Sequence, residues 1–145
     1  MLVAALANLD RTLHLGTLEI TVALALVAVL AARPRVRTAA DIGAMTPMNV
    51  EIDVLERGEQ RREALRTPFE VGRAREAELF LRDPEVSRRH ARFESQNRVL
   101  YVEDLKSSNG TFLNGERIGE TIELREGDSV DVGTTRLVIR SVRPT

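Results

Sequence analysis

Residues 86–93 read VSRRHARF, in which a serine, two adjacent arginines and a histidine stand directly before alternating apolar and polar residues. Alternation at every second position predicts a half-buried β-strand, so the polar residues lie where a loop enters a strand. Three interpretations are open at this point: a catalytic serine–histidine pair, a basic patch for nucleic acid, or a binding loop for an anion. The surrounding sequence must decide among them.

Length and composition exclude several classes of protein. At 145 residues the chain holds one domain of about 100 residues with an appendage. The absence of cysteine excludes a disulfide framework and a thiolate metal site. A formal net charge of −1 argues against electrostatic binding of nucleic acid by the chain as a whole. Lys106 is the single lysine among 21 basic residues, a bias typical of a high-GC bacterium, so anion contacts should come from guanidinium groups.

The N-terminal part is strongly apolar. Residues 20–32, ITVALALVAVLAA, contain a single polar residue, Thr21, and three arginines fall within residues 33–37. We expect residues 1–32 to be a hydrophobic helical segment and residues 15–32 to associate with a membrane as an anchor. Because basic residues next to an apolar run stay on the cytoplasmic side, the C-terminal part is expected in the cytoplasm, at the inner face of the plasma membrane.

Alternatives to an anchor remain open, since the run is short for a membrane span. They are a secretory signal, a helix buried in the protein or against a partner, and an extension upstream of a true start at Met45 or Met48. The secretory signal is disfavoured because the first basic residue is Arg11. Residues 33–48 hold two prolines, a glycine and no hydrophobic period, which predicts a linker.

Residues 49–145 have the pattern of an all-β domain. Val50, Ile52 and Val54 alternate with polar residues, which predicts a half-buried strand. Further strand-like runs lie at residues 68–72, 78–81, 90–94, 99–104, 111–113, 122–124, 129–133 and 136–140. Hairpin turns are predicted at ERGE (residues 56–59), SQNR (95–98) and Asn114-Gly115. Many short strands without a helical period predict a β-sandwich or barrel.

Three polar clusters fall between these strands: Gly72-Arg73, the residues 87–90 SRRH, and the residues 106–110 KSSNG. Loops on a rigid β scaffold are common positions for binding groups. Guanidinium groups, serine hydroxyls and an asparagine amide, brought into one concave site, complement a doubly charged phosphate. Each cluster alone is a weak signal.

In order and spacing the clusters resemble the forkhead-associated (FHA) domain. The matching stretches are GR (72–73), SRRHA (87–91), DLKSSNGTF (104–112), NG (114–115) and GDSVDVG (127–133). The resemblance covers about residues 49–142 and predicts an FHA domain over residues 49–145. It implies an all-β, FHA-type β-sandwich of about eleven strands that binds phosphothreonine in a partner protein through loops at one end. No catalysis, metal or cofactor is expected.

The same resemblance implies five phosphopeptide-binding residues. Arg73, Ser87 and Arg88 would contact the phosphate. Asn109 would bind the peptide backbone beside the phosphothreonine. Ser108 stands where the family often has threonine, so it keeps the hydroxyl and lacks the methyl group.

Structural roles are implied for Gly72, His90, Asn114 and Gly115. Of these, His90 is expected to be buried and to brace the binding loop, while the asparagine and the second glycine form a turn. Glu85 is expected near the third residue after the phosphothreonine, where a carboxylate would disfavour an acidic side chain.

These observations predict a phosphothreonine-dependent protein-binding module of bacterial Ser/Thr kinase signalling, with a Ser/Thr kinase or its substrate as partner. The alternative is a phosphate-independent scaffold that binds through the faces of the sandwich. A hydrolase using Ser87, His90 and Asp104 is disfavoured because the chain lacks the Gly-x-Ser-x-Gly elbow at this serine. Nucleic-acid binding has little support, since only 3% of residues are aromatic; Phe69, Phe93 and Phe112 are predicted to be core residues.

Overall fold

The computed structural model describes residues 45–145, which form eleven β-strands. The strands are β1 (Met48–Glu56), β2 (Glu59–Arg66), β3 (Phe69–Gly72), β4 (Leu79–Phe80), β5 (Ala91–Gln96), β6 (Val99–Asp104), β7 (Thr111–Leu113), β8 (Glu116–Arg117), β9 (Ile122–Leu124), β10 (Ser129–Val132) and β11 (Thr135–Pro144). A six-stranded sheet has the order β2-β1-β11-β10-β7-β8, and a five-stranded sheet has the order β4-β3-β5-β6-β9. The predicted all-β sandwich is confirmed.

The apolar residues of both sheets form one core. Val50, Ile52 and Val54 are fully buried, as their alternation predicts. Phe69 on β3 and Phe93 on β5 stack with ring centroids 4.8 Å apart. Each such side chain contributes about 1.5–3 kcal/mol when it is withdrawn from water. The third predicted core aromatic, Phe112, is only half-buried, because β7 directs its neighbours Thr111 and Leu113 inward.

The three predicted hairpin turns are confirmed. Each has two central residues with positive φ, as in a type I′ turn: Arg57-Gly58 (54° and 84°), Asn97-Arg98 (50° and 64°) and Asn114-Gly115 (50° and 88°). Type I′ turns twist in the same sense as the strands they join, which fixes the register of each hairpin.

Strand β2 is a strand that the apolar alternation of the sequence does not predict. Its sequence EQRREALR has no apolar alternation, yet all eight residues pair with β1. Contacts with Asp53 on β1 account for this pairing. The alternation of β1 predicts that Asp53 faces the solvent, but the residue is only 1% exposed. The Nε atoms of Arg62 on β2 and Arg140 on β11 each donate to this carboxylate over 2.6 Å. The hydrogen bond from Arg62 outweighs the effect of burial and, together with that from Arg140, lowers the pKa of Asp53 to about 2.

Several connections lie at one end of the sandwich, which we call the loop end; residues 73–78, 81–90, 105–110 and 133–134 are among them. The chain enters β1 at the opposite end. There the Met48 N–H donates to Thr67 Oγ1 over 2.9 Å, and Ser95 Oγ donates to the Thr46 carbonyl over 2.6 Å. The N-terminal connection and the loop end are therefore separated by the length of the sandwich.

The predicted hydrophobic segment, residues 1–32, and the linker up to residue 44 lie outside the described residues, so these two assignments stay predictions. Strand β1 begins at Met48, one residue before the predicted start of the FHA domain, and Met45 forms an isolated bridge with Gln96. Within residues 45–145, no helix is long and apolar enough to cross a membrane.

Candidate phosphate-binding site

An open pocket of about 620 Å³ lies at the loop end. Four of the five predicted phosphopeptide-binding residues line it: Arg73, Ser87, Arg88 and Ser108. Three separate connections of the sandwich supply them, so the fold brings together residues that are up to 35 positions apart in the sequence. The remaining lining residues are Ala74, Glu76 and Arg89.

The loops of the pocket touch through their backbones at Gly72. A Cβ atom at this position would lie 2.0 Å from the Arg88 carbonyl oxygen, so only glycine fits. Beside this contact, the Arg73 N–H donates to the Ser87 carbonyl over 3.0 Å and the Ala74 N–H donates to the Arg88 carbonyl over 3.1 Å. These bonds set the arginine of one loop against the serine and arginine of the other.

Two polar groups of the pocket are oriented by backbone atoms. Arg73 Nε donates to the Val86 carbonyl over 3.2 Å, which directs its terminal nitrogens away from that bond. The Ser87 hydroxyl oxygen accepts the Ser108 N–H over 3.0 Å. Since this bond uses a lone pair of the hydroxyl, its proton can be donated to another acceptor.

His90 joins the two loops beneath the pocket and is completely buried. Its Nδ1 accepts the Ser87 N–H over 3.1 Å, and its Nε2–H donates to the Gly110 carbonyl over 3.1 Å. These two bonds require the neutral ring with its proton on Nε2. Burial lowers the pKa of His90 below its usual value of 6.5. The hydrogen bond to the Gly110 carbonyl favours the charged ring and opposes this shift, but burial is the larger effect.

Asp104 shapes the loop that carries Ser108. Its carboxylate accepts the Ser107 N–H over 3.0 Å, the Ser107 hydroxyl over 2.6 Å and the Thr111 hydroxyl over 2.7 Å. Burial alone would raise the pKa of Asp104, but these hydrogen bonds outweigh it and lower the pKa below the ordinary value. In the same loop, Lys106 has a φ of 58°, a left-handed conformation that residues other than glycine rarely adopt.

Asp83, which precedes Pro84, is a supporting residue that the sequence alone does not identify. It is fully buried, and its carboxylate accepts the Glu85 N–H, the Thr134 N–H and the hydroxyls of Thr134 and Thr135 over 2.7–2.9 Å. Burial would raise the pKa of Asp83, but these bonds lower it. Asp83 thus ties the loop before Ser87 to the turn between β10 and β11.

Asn109, the fifth predicted binding residue, lies beside the pocket lining rather than within it. Its Nδ2 donates to the backbone carbonyl of Glu85 over 2.8 Å and to the Glu85 carboxylate over 2.7 Å. Asn114 and Gly115 form the β7–β8 turn, away from the pocket. Asn114 is held there by bonds with Asp128 and Ser129.

The geometry does not form a catalytic triad. The ring nitrogens of His90 bind two backbone groups rather than the Ser87 hydroxyl, and the carboxylate of Asp104 binds Ser107 and Thr111. Arg89, although it lines the pocket, forms a two-point ion pair with Glu70 over 2.6 Å at both contacts. The pocket is therefore lined mainly by hydrogen-bond donors and cations, with Glu76 as its one acidic lining residue.

Known proteins show the same domain. The FHA domain family model matches residues 69–133. Glycogen accumulation regulator GarA of Mycobacterium tuberculosis is 43% identical over 68 residues, which cover 47% of this chain and 41% of GarA. A solved chain described as "Structural and functional analysis of phosphothreonine-dependent FHA domain interactions" is 30% identical, with a TM-score of 0.58, over 64% of this chain and 96% of that chain.

A second solved chain, Mycobacterium tuberculosis EmbR in complex with a low-affinity phosphopeptide, is 25% identical with a TM-score of 0.58, over 86% of this chain and 31% of EmbR. The chain belongs to the FHA domain family. It spans less than half of GarA, so the likeness to that relative concerns the domain and not the whole protein.

Replacing Gly72 by alanine should lower the free energy of unfolding by about 2–3 kcal/mol, because the added Cβ overlaps the Arg88 carbonyl and forces the two pocket loops apart. Urea unfolding measures this difference. Gly119→Ala is the matched control, since a Cβ at Gly119 meets no atom within 4 Å. Equal stabilities of the two variants would contradict the proposed role of the backbone contact.

Lowering the pH from 7.5 to 5 should destabilise the domain and weaken ligand binding. The pKa of His90 lies below its unfolded value, so the stabilisation is complete above about pH 6.5 and is lost as the pH falls through the lowered pKa. The carboxyls of Asp83 and Asp104, with lowered pKa values, stay ionised over this range.

Thermal unfolding measured against pH tests this prediction. His90→Gln should be less stable at pH 7.5 and should lose less stability on acidification than the wild type. An equal loss of stability in both proteins would show that His90 does not control it.

Proposed function

We propose that this protein binds phosphothreonine in a partner protein through the loop-end pocket and does so without catalysis. One observation carries the proposal: Arg73, Ser87, Arg88 and Ser108 converge on a single pocket of a domain that belongs to the FHA family. Ser87, His90 and Asp104 come nearest to a catalytic triad in composition. The side chains of His90 and Asp104 form hydrogen bonds that hold the loops instead.

The chemistry of the pocket matches a phosphate dianion. A phosphate group offers three acceptor oxygens and a charge of about −1.5 to −2 at neutral pH. The terminal nitrogens of Arg73 and Arg88 and the proton of Ser87 can donate to these oxygens, at about 1.5–3 kcal/mol for each charge-assisted bond. A neutral threonine hydroxyl cannot accept this set, so we expect binding to require phosphorylation.

The relatives support a regulatory partner. GarA is a glycogen accumulation regulator, and one similar solved structure concerns phosphothreonine-dependent FHA interactions. By extension we propose a Ser/Thr kinase or its substrate as the partner of this chain. A contact limited to a few loops is a small interface, for which an affinity near the micromolar range, about −8 kcal/mol, is expected.

Replacing Arg73 by alanine should weaken binding to phosphothreonine peptides by at least about 10-fold, because the phosphate loses a charge-assisted bond while its desolvation cost remains. Isothermal titration of the full chain with a phosphothreonine peptide library measures the loss. Arg66→Ala, which removes an exposed arginine at the opposite end of the sandwich, is the control. Equal binding of phosphorylated and plain peptides would favour a phosphate-independent scaffold instead.

We also propose that residues 15–32 tether the domain to the cytoplasmic face of the plasma membrane. Support comes from the apolar run at residues 20–32 and from the three arginines within residues 33–37. The described part of the chain enters β1 at the end of the sandwich opposite the pocket.

The full chain expressed in a bacterial cell should therefore sediment with membranes and stay there in high salt. Leu26→Arg should shift it toward the soluble fraction, since an arginine in the apolar run costs about 2.5–3.5 kcal/mol. Recovery of both proteins in the soluble fraction would contradict the tether.

A further inference from the structure

Strand β2 is a long strand at the edge of the six-stranded sheet. All eight of its residues pair with β1 without a register shift, and among the described residues no strand pairs with its other side. Edge strands are commonly very short, bulged or interrupted by proline, which prevents pairing with other chains. Strand β2, with the sequence EQRREALR, has none of these three features. Its charged side chains therefore decide what the edge can pair with.

The free side of β2 presents backbone hydrogen-bonding groups at every second residue. In an antiparallel pair, alternate residues bond to a given neighbouring strand. Directly after β2, the Thr67 N–H donates to the Met48 carbonyl over 2.9 Å, so the odd-numbered residues bond to β1. The N–H and C=O groups of Gln60, Arg62 and Ala64 consequently point to the free edge.

Charge selects one register for antiparallel pairing of β2 with a second copy of itself. Opposite residues in a sheet lie on the same face, so a two-fold axis between two such strands passes through a residue. An axis at Arg62 sets Arg61 of each copy opposite Glu63 of the other, which is favourable. An axis one residue earlier or later sets Arg61 opposite Arg61 or Glu63 opposite Glu63, which is unfavourable.

The side chains at this contact can take a further partner. Those of Arg61 and Glu63 are 38% and 41% exposed, and Arg61 Nε donates to Glu63 of the same chain over 3.1 Å. Two copies therefore form a cluster of four alternating charges. Arg62 on the axis binds Asp53 at two points, over 2.6 and 3.2 Å, so its guanidinium is held against β1 and its charge is compensated.

We propose that β2 is a homodimerisation edge, at which a second copy of this chain pairs antiparallel about Arg62. The contact joins two six-stranded sheets into one sheet of twelve strands. No residue of β2 lines the phosphate pocket, and the loop ends of the two copies point in opposite directions. The dimer thus presents two separate pockets, so a partner that is phosphorylated at two sites gains avidity. The pairing itself does not depend on what the pocket binds.

Disulfide cross-linking tests the dimer and its register together. The chain contains no cysteine, so introduced thiols are the only ones present. In the proposed dimer, Gln60 of one copy lies opposite Ala64 of the other at a Cα separation of about 5.5 Å, within the range of a disulfide. Both residues are exposed, so cysteine at either position is compatible with the fold. Identical positions of the two copies lie about 13 Å apart along the strands, which is too far for a disulfide.

Full chains with different affinity tags, one carrying Gln60→Cys and the other Ala64→Cys, are co-expressed, purified and oxidised. Non-reducing electrophoresis should show at least about tenfold more cross-linked dimer for this pair than for either variant alone. Gln60→Cys with Glu116→Cys, at an exposed residue of β8 on the opposite edge of the sheet, controls for random collision. Equal cross-linking in all combinations, or in none, overturns the proposal.

Charge exchange gives a second measurement. Glu63→Arg sets arginine opposite arginine in the dimer, and Arg61→Glu sets glutamate opposite glutamate. Each variant alone should dimerise at least about fivefold more weakly than the wild type in analytical ultracentrifugation, whereas their mixture restores opposite charges at both contacts and should dimerise. A mixture no more dimeric than its two components overturns the register. Arg61 also donates to the Phe80 carbonyl, so circular dichroism first establishes that Arg61→Glu is folded, and cross-linking alone decides if it is not.

Discussion

The loop end depends on one buried imidazole. His90 accepts a hydrogen bond from the loop that carries Ser87 and donates one to the loop that carries Ser108, so it fixes the distance between the two sides of the pocket. Both bonds hold only while the ring is neutral, and burial keeps it neutral at physiological pH. Gly72 brings the third loop of the pocket into contact. Because it has no Cβ, the chain before Arg73 can touch the backbone of the loop that ends at His90.

The carboxylates of the loop end act on structure rather than on chemistry. Asp83 and Asp104 are both satisfied by hydroxyl and backbone donors, which lower their pKa values, and each holds one loop to a neighbouring element. Both carboxylates are ionised at neutral pH, and their charge favours the protonated form of His90, against the effect of burial. Glu85 is different, because its carboxylate is exposed and stands beside the cations.

The sequence predicts much of this architecture because its signals are local. Turns such as Asn114-Gly115 and the apolar alternation of β1 depend on neighbouring residues, and the spacing of the loop motifs identifies the family. Strand β2 and the burial of Asp53 are not predicted, since they arise from arginines on strands far apart in the sequence. The contact between Asn109 and Glu85 is missed for the same reason. Pairing of side chains across loops leaves no periodic pattern.

The most direct test of the central claim is a map of backbone amide shifts by NMR during titration with a phosphothreonine peptide and with its unphosphorylated form. The account predicts that only the phosphorylated peptide causes saturable shifts, and that these are largest at Arg73, Ser87 and Ser108. Equal shifts with both peptides, or shifts confined to the outer faces of the two sheets, would contradict phosphate recognition at the loop end.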